Sequence, residues 1–192
     1  MESKMKSLGP VSFPTFTGER FYMQPFHKGE ILPQCMIRWQ PTIDRLLQDI
    51  DVESEVYLTL DQKRIEPQKT HRRGGVHIDG NWIAASQTHR TKGRHSLGMW
   101  DGRGYWGANA LKEEAIILAS DVYGCDGYLG TWDGIVGEGG DASHQDLSKL
   151  QRVALKGGQA YIGNVGFLHE SIPQSTAVER SLVRITIPGF VF

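Results

Sequence analysis

His77-Ile78-Asp79 sets an imidazole and a carboxylate two residues apart. On an extended strand, positions i and i+2 project from one face, so the two side chains can converge on a single ion. A third ligand must come from elsewhere in the chain. His169, ninety residues after Asp79, closes the strand-like run 165–169 and supplies a suitable donor. Two histidines and one carboxylate on one side of an ion leave its other positions open. That is the donor set of a non-haem Fe(II) centre that holds a cosubstrate and dioxygen together. The other five histidines, at 27, 71, 89, 95 and 144, stand alone and are read as surface or core residues.

Arg180 and Arg184 follow His169. Both fall in or beside the strand expected at 181–187, an even number of residues apart, so they share a face with Leu182 and Thr186. If Val183, Ile185 and Ile187 pack against a helix, the arginines point into the interior between strands. A buried guanidinium needs an anion, because desolvation without one is expensive. A bound dicarboxylate would provide it through a bidentate pair.

Elements able to position these groups can be read from the pattern. Residues 41–50 carry Ile43, Leu46, Leu47 and Ile50 behind a proline, the spacing of one amphipathic helix whose stripe should lie on a sheet. Strands are expected at 55–60, 75–79, 82–86, 114–122, 165–169 and 181–187, and a hairpin at 152–163 around Gly157-Gly158. Residues 1–40, with prolines at 10, 14, 25 and 33, read as an irregular wrap around the core. Residues 143–151 read as a short helix. Glycine-rich segments at 93–110 and 124–142 read as long loops, which are uncommon unless they have a function. About eight short strands without βα alternation indicate a mainly β barrel or double-sheet roll in a single domain, with residues 1–53 packing on a core at 54–189.

Composition narrows the class further. Glycine accounts for 23 of 192 residues, against a usual ~7%, in line with many turns. The formal net charge of −1 points to neither nucleic acid nor membrane. It conceals a division, because residues 63–95 hold eight Lys/Arg against Glu66 and Asp79, while 113–146 hold eight Asp/Glu and no Lys or Arg. The first segment surrounds the His-x-Asp pair and could attract anions. The N-terminal residues show no secretory pattern, the longest strongly apolar run, 115–119, is far short of a membrane span, and Cys35 and Cys125 are scattered. A cytoplasmic protein with free thiols is expected.

Taken together, His77-x-Asp79, His169, and Arg180 eleven residues beyond it resemble the Fe(II)- and 2-oxoglutarate-dependent oxygenases. His169-Glu-Ser-Ile-Pro173 is similar to the His-x-x-x-Pro of prolyl-hydroxylase-like members, and the pair Arg180/Arg184 to the two arginines of the taurine dioxygenase group. The likeness covers roughly residues 55–189. It implies a double-stranded β-helix (jelly-roll, cupin-like) core, with His77, Asp79 and His169 holding Fe(II). It also implies 2-oxoglutarate on the iron, its far carboxylate on Arg180 or, because Arg184-Ile-Thr186 fits an Arg-x-Ser/Thr pattern, on Arg184 with Thr186 beside it. Tyr57 or Thr59 could add a hydroxyl. The implied activity is hydroxylation of a small molecule or an amino-acid side chain, using O2 and releasing succinate and CO2. Asp79 argues against halogenation, since the family's halogenases lack that carboxylate.

For the substrate, Asn81 and Trp82 just after Asp79, with Arg90 and Trp100 in the following loop, are candidate contacts, and an anionic group suits the basic residues. Nucleic acid is disfavoured by the acidic segment and by the lack of a binding motif. A cupin-like metal protein without 2-oxoglutarate turnover, such as an isomerase or a sensor, is the alternative. It usually has His-x-His where this chain has His-x-Asp.

Overall fold

The computed structural model describes residues 1–79 and 114–192. Among these residues ten strands form two antiparallel sheets stacked as a mainly β sandwich, with one short helix outside them. In chain order the strands are β1 (Glu2–Ser3), β2 (Met5–Pro10), β3 (Arg20–Phe26), β4 (Val56–Ile65), β5 (Glu114–Ser120), β6 (Cys125–Thr131), β7 (Gln151–Ala154), β8 (Gln159–Asn164), β9 (Leu168–Ser171) and β10 (Val178–Pro188). The large sheet runs β2-β8-β5-β10-β4-β3. In the small sheet β6 pairs with β7 on one edge and with β9 and β1 on the other.

The helix α1 (Gln40–Leu47) starts on Pro41 without a side-chain cap, so packing rather than capping holds it. Ile43, Leu46, Leu47 and the following Ile50 lie against the outer face of the large sheet. There they meet Leu58 and Leu60 of β4, Ile117 of β5, Ile162 of β8, and Val183, Ile185 and Ile187 of β10. The period-2 alternation of β10 therefore turns Arg180, Leu182 and Arg184 to the inner face, as the sequence pattern predicts.

Several sequence-based expectations need correction. Residues 1–40 contribute three strands, because β2 and β3 complete the edges of the large sheet and β1 continues the small one. The glycine-rich stretch 124–142 contains β6, whose Gly127 is required by packing rather than by a turn: a Cβ there would stand 2.6 Å from the Phe167 ring. Residues 152–163 are not a hairpin. β7 pairs with β6 and β8 with β5 and β2, so Gly157-Gly158 carries the chain from one sheet to the other. Residues 75–79 form no strand of their own; His77 makes two isolated bridges, to His169 and to Asp141. The helix expected at 143–151 shrinks to a 3-10 turn at Leu147–Lys149. The strand expected at 82–86 and the loop at 93–110 lie outside the described residues. Cys35 and Cys125 are both free. Among the described residues no helix is long and apolar enough to cross a membrane.

Candidate metal centre and its cavity

His77 and His169 face each other across the bridge and exchange both backbone hydrogen bonds, at 2.9 and 3.0 Å. This pairing sets the two rings side by side, with centroids 4.5 Å apart. Each ring is then oriented by a carbonyl. His77 Nδ1 lies 2.7 Å from the Gly75 oxygen and His169 Nδ1 lies 3.1 Å from the Phe167 oxygen. A carbonyl only accepts, so Nδ1 carries a proton in both rings and Nε2 is the nitrogen left to face an ion. Asp79, two residues on from His77, brings Oδ2 to 3.4 Å from His169 Nε2. The three donor atoms lie within 4.8 Å of one another, close enough to share one ion.

His77 is in the protonation state a metal needs. Burial first, then the neighbouring His169 and Arg73, pull His77 down to about 3, so its ring is neutral near pH 7. Burial opposes the charge on Asp79, but Arg184, His169 and His77 together hold its carboxyl well below the usual range. The Arg184 guanidinium meets the same oxygen, Asp79 Oδ2, at 2.9 Å. Phe167 supports the other side. Its ring stacks on His169 at 5.4 Å and sits in a slot between Gly127 and Gly163, where a Cβ would come within 2.6 and 2.5 Å of it.

These groups open into one cavity of about 520 Å³ between the sheets, lined also by Arg180, His71, Tyr22, Leu118 and Tyr161. The two arginines occupy different rows of β10. Arg184 lies opposite Thr59 and Leu118 beside the metal ligands, and Arg180 lies four residues away, opposite Lys63. Arg180 is 1% exposed. It donates to Ser120 Oγ at 2.7 Å and to the Gly124 carbonyl at 3.3 Å, and no carboxylate among the described residues reaches ion-pair distance. Burial lowers its pKa, and Cys125, Asp121 and Asp61 only partly offset that. Gly124 leaves the space it fills, since a Cβ there would stand 2.6 Å from the guanidinium.

The chain therefore brings His77, Asp79, His169, Arg180 and Arg184 into one cavity. Thr186 and Tyr57 do not line it, because they pair with each other one step further along the sheet than Arg184 and Thr59. Thr59 instead accepts a bond from the Met23 amide at 3.4 Å. Asn81, Trp82, Arg90 and Trp100 lie outside the described residues.

Two groups in the cavity went unnoticed in the sequence. Tyr22 is thrown over the cavity by a register shift between Phe21 and Gln24, where Met23 takes φ 50° and is fully buried. His71, isolated in the sequence, buries its side chain completely, with Nε2 3.4 Å from Asp61 Oδ2. Nothing local in the sequence marks either position. Comparison with known protein families and with curated proteins finds no match to this chain.

Proposed function

We propose that the chain is a non-haem Fe(II)- and 2-oxoglutarate-dependent dioxygenase that hydroxylates a small molecule or an amino-acid side chain. The observation that carries this reading is a pairing of sites in one cavity: a two-histidine, one-carboxylate cluster at one end and a buried arginine without a carboxylate at the other. His77, Asp79 and His169 would hold the iron, each histidine through Nε2. Arg180 would take the far carboxylate of 2-oxoglutarate, because Arg184 is already committed to Asp79. With iron, 2-oxoglutarate and dioxygen bound, the site would supply the oxidising power to hydroxylate a C–H bond, leaving succinate and CO2. The protein's part would be to keep the His77 imidazole neutral, to hold Asp79 ionised and to exclude bulk water with Leu118 and Tyr161.

We read the sandwich as a double-stranded β-helix. The chain alternates between the sheets: β4, the His77 segment, β5, β6 with β7, β8, β9 and β10. Strands distant in sequence thus become neighbours, such as β4 with β10 and β5 with β8, the winding of a jelly roll.

The test is spectroscopic. Anaerobic protein with Fe(II) and 2-oxoglutarate should develop the weak visible charge-transfer band of a chelated 2-oxo acid, and His77→Ala should abolish it. Fe(II) binding without that band, or with 2-oxoglutarate failing to bind, would favour a cupin-like metal protein instead. A band unchanged in His77→Ala would overturn the assigned ligands.

A further inference from the structure

The remaining charges of the cavity point to what else enters it. Arg184 is matched by Asp79, and in the oxygenase reading Arg180 is matched by the cosubstrate. Lys63, Arg72, Arg73 and Lys156 also line the cavity, and Asp79 is its one acidic liner among the described residues. Of these four, Arg72 has a carboxylate partner, Asp61 at 3.4 Å, which it shares with Arg20 and His71. With metal and dicarboxylate in place, the cavity would keep a surplus of positive charge that Asp61 and Asp79 offset only in part among the described residues.

Two of these cations are held in position. The Arg73 guanidinium donates to the carbonyl of Gly139, a residue in the left-handed region at φ 65°, where a Cβ would stand 2.8 Å from Arg73. That contact uses one donor on a neutral oxygen and leaves the charge unmatched. Arg73 and His77 line the same cavity. Arg72 is fixed by Asp61 on one side and by the Tyr22 ring, 5.5 Å from its guanidinium, on the other. Tyr22 is 39% exposed and reaches the cavity through the β3 bulge, where fully buried Met23 holds φ 50°. A backbone in that region is costly for a non-glycine residue and is commonly retained where it aims a side chain.

We propose that the substrate is an anionic small molecule, its carboxylate or phosphate held by Arg73 and Arg72 beside the metal ligands, with Tyr22 against its carbon frame. The inference rests on the oxygenase reading and names the substrate class of that site. A small molecule fits the cavity, about 520 Å³, within the range of ligand pockets.

The experiment uses full-length protein loaded with Mn(II) and saturating 2-oxoglutarate, so that Arg180 is already occupied. Phenyl phosphate and benzoate are the anionic probes and benzyl alcohol the neutral one. Binding is followed by calorimetry, and proximity to the metal by paramagnetic broadening of the probe's NMR lines. At least one anionic probe should bind in the millimolar range or tighter and be broadened, while benzyl alcohol is not; which anion binds better separates phosphate from carboxylate. Arg73→Gln, at an exposed position, should weaken that binding ~10-fold or more, the size of a lost charged hydrogen bond. Equal broadening by benzyl alcohol, no binding by either anion, or affinity unchanged in Arg73→Gln would overturn the proposal. A short single-stranded oligonucleotide binding far more tightly through the same arginines would overturn its small-molecule half. The same titrations report Mn(II) and 2-oxoglutarate binding in the unsubstituted protein. Their loss overturns the oxygenase reading, and loss of anion binding alone overturns this one.

Discussion

The two ends of the cavity each hold a buried arginine from β10 and treat it in opposite ways. At the metal end, Asp79 matches Arg184 at 2.9 Å, and with Tyr22 it outweighs the penalty of burial and holds the guanidinium above its ordinary pKa. At the other end Arg180, just as buried, meets a hydroxyl and a carbonyl and no carboxylate among the described residues, and burial dominates. One guanidinium is paired with a carboxylate of the protein, and the other meets no carboxylate among the described residues. Such an imbalance stores no stability for the empty protein, and under the proposed function it would favour an anion at Arg180.

Substitutions at the two ends should therefore act in opposite ways. The largest effect is expected at the ligand end: Arg180→Met should weaken 2-oxoglutarate binding at least about 30-fold by calorimetry, the loss of one side of a buried charge pair. It should leave the urea stability of the metal-free protein within about 1 kcal/mol or raise it, because a desolvated unpaired cation is removed. Arg184→Met should do the reverse to stability and cost about 3 kcal/mol, leaving Asp79 without its cation. Equal stability losses for the two variants would break the comparison.

A smaller effect is expected from Gly163→Ala. The added methyl has no room beside Phe167, so the ring shifts or the strand yields, at about 1–3 kcal/mol for overpacking. Because Phe167 stacks on His169, metal affinity should fall with stability. A variant destabilised but unchanged in Mn(II) binding would show that Phe167 does not orient the ligand.

The smallest effect concerns Glu114, at the start of β5 and 2% exposed. Burial, and then the charge on Asp79, push its carboxyl from an ordinary 4.5 up to about 8, with Arg184 opposing. The folded protein thus holds this proton more tightly than the unfolded chain does. Its contribution to stability is complete below pH 4.5 and is lost as pH rises through about 8. Glu114→Gln should flatten that decline, so the variant gains on the parent between pH 5 and 8 in urea melts of metal-free protein. Parallel stability curves would rule out a protonated Glu114.

Local periodicity made much of this site legible. An i, i+2 pair on extended backbone must share a face, which is why His77 and Asp79 converge even though residues 75–79 form only isolated bridges. The alternation of Val183, Ile185 and Ile187 likewise placed Arg180 and Arg184 inward before any partner was known. Helix α1 was readable from its apolar stripe. The edge strands β2 and β3 were not, because prolines and polar residues obscure alternation and their pairing with β8 and β4 is long-range. The supposed hairpin at 152–163 failed for a related reason: two strands joined by a tight turn pair only if no better partner is available, and here β5 and β6 are.

By itself, then, the sequence determined which side chains could face one interior and that they could share one metal ion, since both follow from the two-residue repeat of a strand and from donor chemistry. Only the tertiary structure decided that Asp79 belongs to Arg184 and leaves Arg180 unmatched. It alone also set Phe167 between two glycines and brought Tyr22, His71 and Arg73 to the cavity. Each of those outcomes depends on the register between segments far apart in the chain, which no local pattern encodes.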